Sequence, residues 1–273
     1  MDAPVDTTLG LYERCVDGAR RALATLRLPR FALPDDAMIQ ALAAATVPDR
    51  PVPAPQDVPR LIDHTLLRLD ATPAEIEAVC AEAAQYGFKA VCINPRYVPR
   101  AVEALVGTGV HVCTVVGFPL GASATTVKVL EAQLAIEEGA QELDMVLAVG
   151  DLKAGAVNDV RRDIAAVAVA AHAGRVLLKV ILEAGLLTPT EQVRACLLAR
   201  DAGADFVKTA TGFVGRGASE EDVRRLRAAV GPTMGVKAAG GIRTRADLER
   251  MIRAGATRIG TSSGAAIMRE YAT

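Results

Sequence analysis

RDAGADFVKT, residues 200–209, runs from the end of a polar helix-like segment through one glycine into a short apolar β-rich run. Its letters return in EEGAQELDMV (137–146) and RAGATRIGT (253–261). Outward from these copies the same unit repeats: a β-rich run, a loop, an amphipathic helix, then a glycine. The runs are Leu61–His64, Ala90–Ile93, Val110–Val115, Glu142–Val146, Val176–Ile181, Asp205–Thr209, Gly235–Ala238 and Thr257–Thr261. The glycines before most of them, Gly87, Gly109, Gly139, Gly174, Gly203 and Gly255, are expected to end helices in the left-handed conformation. Strand-plus-helix repeats of this length, eight of them over residues 60–273, predict an α/β chain closed into a (β/α)8 TIM barrel. A doubly wound open sheet is the alternative; it usually has fewer strands, and no G-x-G-x-x-G follows the first run.

Residues 1–47 read as a helical N-terminal extension. Thr7 to Leu26 has apolar residues at helical spacing, and Asp35 to Ala45 is Ala-rich behind two acidic residues that suit a helix start. Residues 48–59 hold five prolines, which neither continue a helix nor enter a central strand, and predict an extended linker. The extension is expected to pack on the barrel base or in an oligomer contact, with no catalytic part.

Composition narrows the function. About half of the 273 residues are hydrophobic, aromatics are 3%, and the net charge is −1. No basic run interleaved with aromatics suggests a nucleic-acid surface. No segment is long and apolar enough for a bilayer, and the opening Met1-Asp2-Ala3-Pro4 has no signal-peptide pattern. Five dispersed cysteines without a C-x-x-C suggest reduced thiols and a cytoplasmic setting. His64, His111 and His172 are scattered, so no metal site is expected.

In such a barrel the chemistry lies at the C-terminal strand ends. Charged residues within apolar runs are the informative ones, because burying an unpaired charge is costly. Lys208 and Lys237 end neighbouring strands, about 4.8 Å apart. Two ammonium groups about 4 Å apart repel by about 4 kcal/mol at an effective dielectric of about 20. One of such a pair releases its proton readily, and a neutral amine attacks carbonyls where an ammonium does not. The expectation is Lys208 as nucleophile and Lys237 as the neighbour that keeps it deprotonated. Asp144 is expected as a proton shuttle, with an ion pair to Lys179 or Lys237 as the plainer alternative. Gly240-Gly241 after run seven and Gly260 to Ser263 after run eight match the usual barrel phosphate site. His64 is expected as a satisfied barrel-end histidine.

Together Leu61-Ile62-Asp63-His64-Thr65-Leu66-Leu67, Ala90 to Pro95, Val115-Val116-Gly117-Phe118-Pro119, Glu142 to Val146, Leu178 to Glu183, Phe206-Val207-Lys208-Thr209, Val236-Lys237 with Gly240-Gly241-Ile242-Arg243-Thr244, and Arg258 to Ser263 resemble the deoxyribose-phosphate aldolase family. The resemblance covers about residues 60–266, with all eight strands in order. It implies a lyase that reversibly cleaves 2-deoxy-D-ribose 5-phosphate to acetaldehyde and D-glyceraldehyde 3-phosphate, without a cofactor or metal. It also implies a Schiff base on Lys208, proton transfer by Lys237 and Asp144, and phosphate-side contacts from Gly212, Gly240, Gly241, Gly260, Ser262 and Ser263. Cys92 falls in a pocket-facing strand. Ala210 replaces a serine common in the family, and Phe213 stands where some members have a phosphate-contacting lysine. Some members end in a tyrosine that enters the site; Tyr271 is given no such role. The expected partners are the sugar phosphate and acetaldehyde, with a homodimer as the oligomeric expectation. The competing readings are another class I aldolase or transaldolase with a different donor, and a sugar-phosphate-binding barrel without catalysis.

Overall fold

The computed structural model describes residues 6–272. Met1 to Val5, which open the segment read above for a signal, lie outside the described residues. Two helices come first, α1 (Asp6–Thr25) and α2 (Asp36–Ala44). Eight strands follow: β1 (Ile62–Leu66), β2 (Ala90–Ile93), β3 (His111–Val116), β4 (Glu142–Val146), β5 (Leu177–Ile181), β6 (Phe206–Lys208), β7 (Gly235–Ala239) and β8 (Arg258–Thr261). Between and after them run α3 (Pro73–Tyr86), α4 (Val98–Ala104), α5 (Thr125–Glu137), α6 (Val149–Lys153), α7 (Val157–Ala173), α8 (Pro189–Asp201), α9 (Glu220–Val230), α10 (Arg245–Arg253) and α11 (Gly264–Ala272). Neighbouring strands are parallel throughout, and β8 pairs with β1, closing the barrel in sequence order.

Local sequence explains how the chain turns from strand to helix. Thr72-Pro73-Ala74-Glu75 and Thr188-Pro189-Thr190-Glu191 each form a capping box, with proline at the first helical position and reciprocal threonine–glutamate hydrogen bonds. Thr244 and Asp247 form a capping box for α10, with arginine rather than proline at the first helical position. Leu143, Leu178, Val207 and Val236 point outward into the apolar layer under the helices. Their alternate neighbours point inward, because side chains on a strand alternate with period two.

Five of the six glycines before the runs are left-handed, but Gly174 has φ −85°. The left-handed residue there is Arg175, at φ 58°. Gly174 is needed for space instead: a Cβ on it would lie 2.6 Å from Ile136 Cγ2. The proline segment also departs from a fully extended linker. Pro55–Leu61 winds into a 3-10 helix that starts on a proline and buries Val58 and Pro59.

The N-terminal helices lie on the outer helical coat rather than across the base. Cys15, Ala19, Ala22 and Ile39 are buried. Helix α1 packs on α5 and α7, and α2 on α8 and α9. Arginines lace them to the barrel: Arg14 to Glu137 at 3.0 Å, Arg194 to Asp36 at 2.7 Å, Arg224 to Asp49 at 2.7 Å, and Arg161 to the Pro29 carbonyl at 2.9 Å. Arg50 ties the linker to the Arg253 and Ala256 carbonyls, which lie just before β8. No helix of the described residues is long and apolar enough to cross a membrane.

Candidate active site

The register of the barrel brings the sequence candidates together. Lys208 and Lys237 are direct partners across β6 and β7, and Asp144 and Lys179 are partners across β4 and β5. Asp144 is at the centre. Its Oδ2 accepts from Lys208 Nζ and from Lys237 Nζ, both at 2.8 Å, so the two ammonium nitrogens lie within twice that distance of each other. Its Oδ1 accepts from Lys179 Nζ at 2.9 Å and from the Cys113 thiol at 3.3 Å. Cys92 Sγ lies 3.9 Å from Oδ2. Both ion-pair alternatives raised for Asp144 are therefore formed, together with a third to Lys208. The lysine repulsion estimated from strand spacing omitted this carboxylate, which sits between the two cations and offsets part of it.

Beneath Asp144 lies a layer not singled out in the sequence reading. Asp63, Glu142 and Arg258 point inward and are buried. Lys179 Nζ reaches Glu142 Oε2 at 2.6 Å and Asp63 Oδ2 at 3.7 Å. Lys237 Nζ contacts Asp63 Oδ2 at 2.5 Å, in an ion pair without hydrogen-bond geometry. Arg258 bridges Asp63 Oδ1 at 2.7 Å and Glu142 Oε2 at 2.9 Å. His111 Nδ1 meets Glu142 Oε1 at 2.9 Å. Charged letters inside apolar runs, the rule that found Lys208 and Lys237, also mark Asp63, Glu142 and Arg258.

The charges set one another's protonation. Burial alone would push the Asp144 carboxyl up, but Lys179, Lys208 and Lys237 hold it well below the ordinary carboxylate range. Burial would lower the Lys237 ammonium, but Asp144 and Asp63 hold it above the ordinary lysine value. The charged form of Lys237 is thus the favoured one beside Lys208. Cys92, Cys113 and Asp144 lie close enough together to ligate a metal ion, as do Asp63, Cys113 and Glu142. Their carboxylate oxygens already serve lysine and arginine, so a divalent ion would meet a cluster of positive side chains.

Above the cluster a cavity of about 930 Å³ opens at the C-terminal strand ends. Of the three lysines on Asp144, Lys208 alone lines it, at 2% exposure against 0% for Lys179 and Lys237. Gly212, Gly240, Gly241, Gly260 and Ser262 also line it. Gly240 and Gly241 have φ 91° and 80°, and a Cβ on Gly240 would lie 2.9 Å from Gly217 Cα. Ser263 is not on the cavity wall; its amide donates to Thr261 Oγ1 at 2.9 Å. Gly260 has a second use, because a Cβ there would lie 3.0 Å from both Lys237 Cε and Ala239 Cβ. His64 is buried with Nε2 2.6 Å from Glu82 Oε2, but it is only half satisfied, because Nδ1 has no partner, and it lines the cavity. Phe213 packs edge-on against Phe118 with ring centroids 5.3 Å apart, giving an apolar side to the mouth. Arg243, on the wall, was not singled out. Tyr271 turns away to Glu249 and lies under Arg245.

Known proteins with the same pattern are aldolases. A deoxyribose-phosphate aldolase of Geobacillus sp. (strain WCH70) is 57% identical over 212 residues, 78% of this chain and 95% of that protein. One from Lysinibacillus sphaericus is 53% identical over 213 residues, again 78% of this chain and 95% of its own length. Among solved structures, a Coccidioides immitis protein provisionally assigned as a deoxyribose-phosphate aldolase superposes with a TM-score of 0.80 at 42% identity, covering 96% of this chain and 97% of that one. The deoxyribose phosphate aldolase of Aeropyrum pernix, described as a tetramer, gives 0.76 at 34% identity over 88% and 99% of the two chains. The DeoC/LacD family aldolase pattern matches residues 58–271, and the chain belongs to that family.

Proposed function

We propose that this chain is a deoxyribose-phosphate aldolase, cleaving 2-deoxy-D-ribose 5-phosphate reversibly to acetaldehyde and D-glyceraldehyde 3-phosphate through a Schiff base on Lys208. The observation that carries this is the convergence of two lysines on one oxygen of Asp144, with only Lys208 open to the cavity. Neutral Lys208 attacks the C1 carbonyl and water leaves, giving an iminium. The C3 hydroxyl then loses its proton, the C2–C3 bond breaks, and its electron pair moves to the iminium nitrogen as an enamine. Glyceraldehyde 3-phosphate departs. Protonation of the enamine at C2 and hydrolysis release acetaldehyde and regenerate the amine. Each step needs a proton moved near Lys208, and Asp144 and Lys237 lie within reach of its nitrogen.

The phosphate is read as lying against Gly212, Gly240, Gly241, Gly260 and Ser262, at the entry to α11; Ser263, off the cavity wall, drops out of that set. Arg243 supplies a cation on that wall. No cofactor enters this scheme. A homodimer in the cytoplasm is part of the same reading.

Comparing acetaldehyde with dihydroxyacetone phosphate as donor tests the substrate assignment. Carbon–carbon bond formation with acetaldehyde is expected; formation only with dihydroxyacetone phosphate would assign a different aldolase.

Gly260 gives a finer test. Gly260→Ala brings a methyl against Lys237 Cε, and the flexible lysine is what yields. The expected result is a fall in kcat of about tenfold with little change in KM. A rise in KM alone would place Gly260 on the phosphate side only.

A further inference from the structure

Seven ionisable side chains point into the barrel and are buried: the cations Lys179, Lys208, Lys237 and Arg258, and the carboxylates Asp63, Glu142 and Asp144. They form one column. Lys208 and Lys237 share Asp144 Oδ2, Lys179 takes Asp144 Oδ1 and reaches down to Glu142, and Arg258 joins Glu142 to Asp63. With every group ionised, four positive charges face three negative ones. An uncompensated buried charge is costly, and release of one proton removes it.

Geometry selects the group that releases it. Arg258 cannot be deprotonated. Lys179 touches Asp144, Glu142 and Asp63, and Lys237 touches Asp144 and Asp63. Lys208 touches one carboxylate oxygen, shares it with Lys237, and alone faces the cavity through which a proton can leave. Burial acts to lower Lys179, but Asp144, Glu142 and Asp63 hold its ammonium well above the ordinary lysine value.

We propose that Lys179 is a positioning residue for the reaction: it locks Oδ1 of Asp144 and supplies the fixed cation that leaves the buried column one positive charge in excess, so that Lys208 gives up its proton. This rests on the reading of Lys208 as the nucleophile. Other groups face the column from its edges. Glu183, just past β5, is a further buried carboxyl that Lys208 acts on; burial pushes it up, while its Oε2 accepts from Thr211. Cys113 is pushed up by burial, by Cys92 and by Asp144, and so stays a thiol. The Cys92 thiol lies on the Oδ2 side of Asp144; Cys113 and the lysines Lys237 and Lys208 pull it down, while burial and Asp144 push it up. His111 and Lys89 lie at the base beyond Glu142, where the His111 side chain is 33% exposed and solvent screens it.

The test is the pH dependence of kcat/KM, together with borohydride trapping of acetaldehyde across the same pH range. It uses the full chain as wild type, Lys179→Met, Glu142→Gln and the double variant. Lys179→Met balances the column with Lys208 protonated. Its acidic limb is expected to move up by about one pH unit or more, with about a tenfold loss of rate below that limb and recovery above it. Glu142→Gln removes a negative charge, so its limb moves down. The double variant restores the excess and returns the limb toward the wild-type position. A purely structural Lys179 would lower the rate at every pH without moving the limb, and that result overturns the proposal. Should Lys179→Met fail to fold by circular dichroism, Glu142→Gln decides alone: a limb that stays or moves up overturns the proposal. Failure of the nucleophile reading is distinct, because the wild type would then give no adduct on Lys208 at any pH.

Discussion

Lys208→Ala is expected to form no acetaldehyde adduct on borohydride reduction and to lose about 10⁴-fold or more of kcat/KM. Intact mass and peptide mapping read the first result, and a coupled assay of glyceraldehyde 3-phosphate reads the second. The structure sets a further condition. Lys208 makes one ion pair, with Asp144, which keeps Lys179 and Lys237. Removing it leaves three cations against three carboxylates, and the space opens onto the cavity rather than into packed core. The variant should therefore melt within a few degrees of the wild type. An adduct that persists, or that maps to another lysine in the wild type, would remove Lys208 from its role.

Asp144→Asn is expected to damage both chemistry and fold. The rate should fall about 10²- to 10⁴-fold, the usual contribution of a positioned acid–base group. Stability should fall by about 3–5 kcal/mol, because three buried ammonium groups lose the charge they share. The pH dependence has a definite sign. The folded-state carboxyl is held well below its ordinary value, so its stabilisation is fully present above the unfolded carboxylate range, near pH 4. It is lost as pH falls from there through the depressed folded value. Urea unfolding across acidic pH should show the wild type losing stability more steeply than Asp144→Asn. A variant within tenfold of wild-type rate would exclude Asp144 from proton transfer.

The barrel was legible because its repeat is written in every unit. Alternation puts Glu142 and Asp144 on one face of β4, and Thr-Pro-x-Glu boxes announce where helices begin. Lys208 and Lys237 were legible as charges in apolar runs on consecutive strands. The rest depends on distances that no local pattern encodes. Two of the four residues contacting Lys179, Asp63 of β1 and Cys113 of β3, come from strands that do not neighbour β5, and only the closure of β8 on β1 puts Arg258 beside Asp63. The same holds for Gly260, whose letter suggests a turn but whose position against Lys237 is a matter of register. Gly174 shows the opposite limit: its place at a helix end was legible, while the close approach of Ile136 that requires it was not.

The arginine-laced segment ahead of β1 has a practical bearing. Its arginine attachments, through Arg14, Arg50, Arg161, Arg194, Arg224 and Arg225, involve none of the catalytic charges or cavity-wall residues. The anchorage of this segment can therefore be altered without touching the groups that do the chemistry. Residues 6–54 are thus a place where added packing would leave the reaction centre as it is.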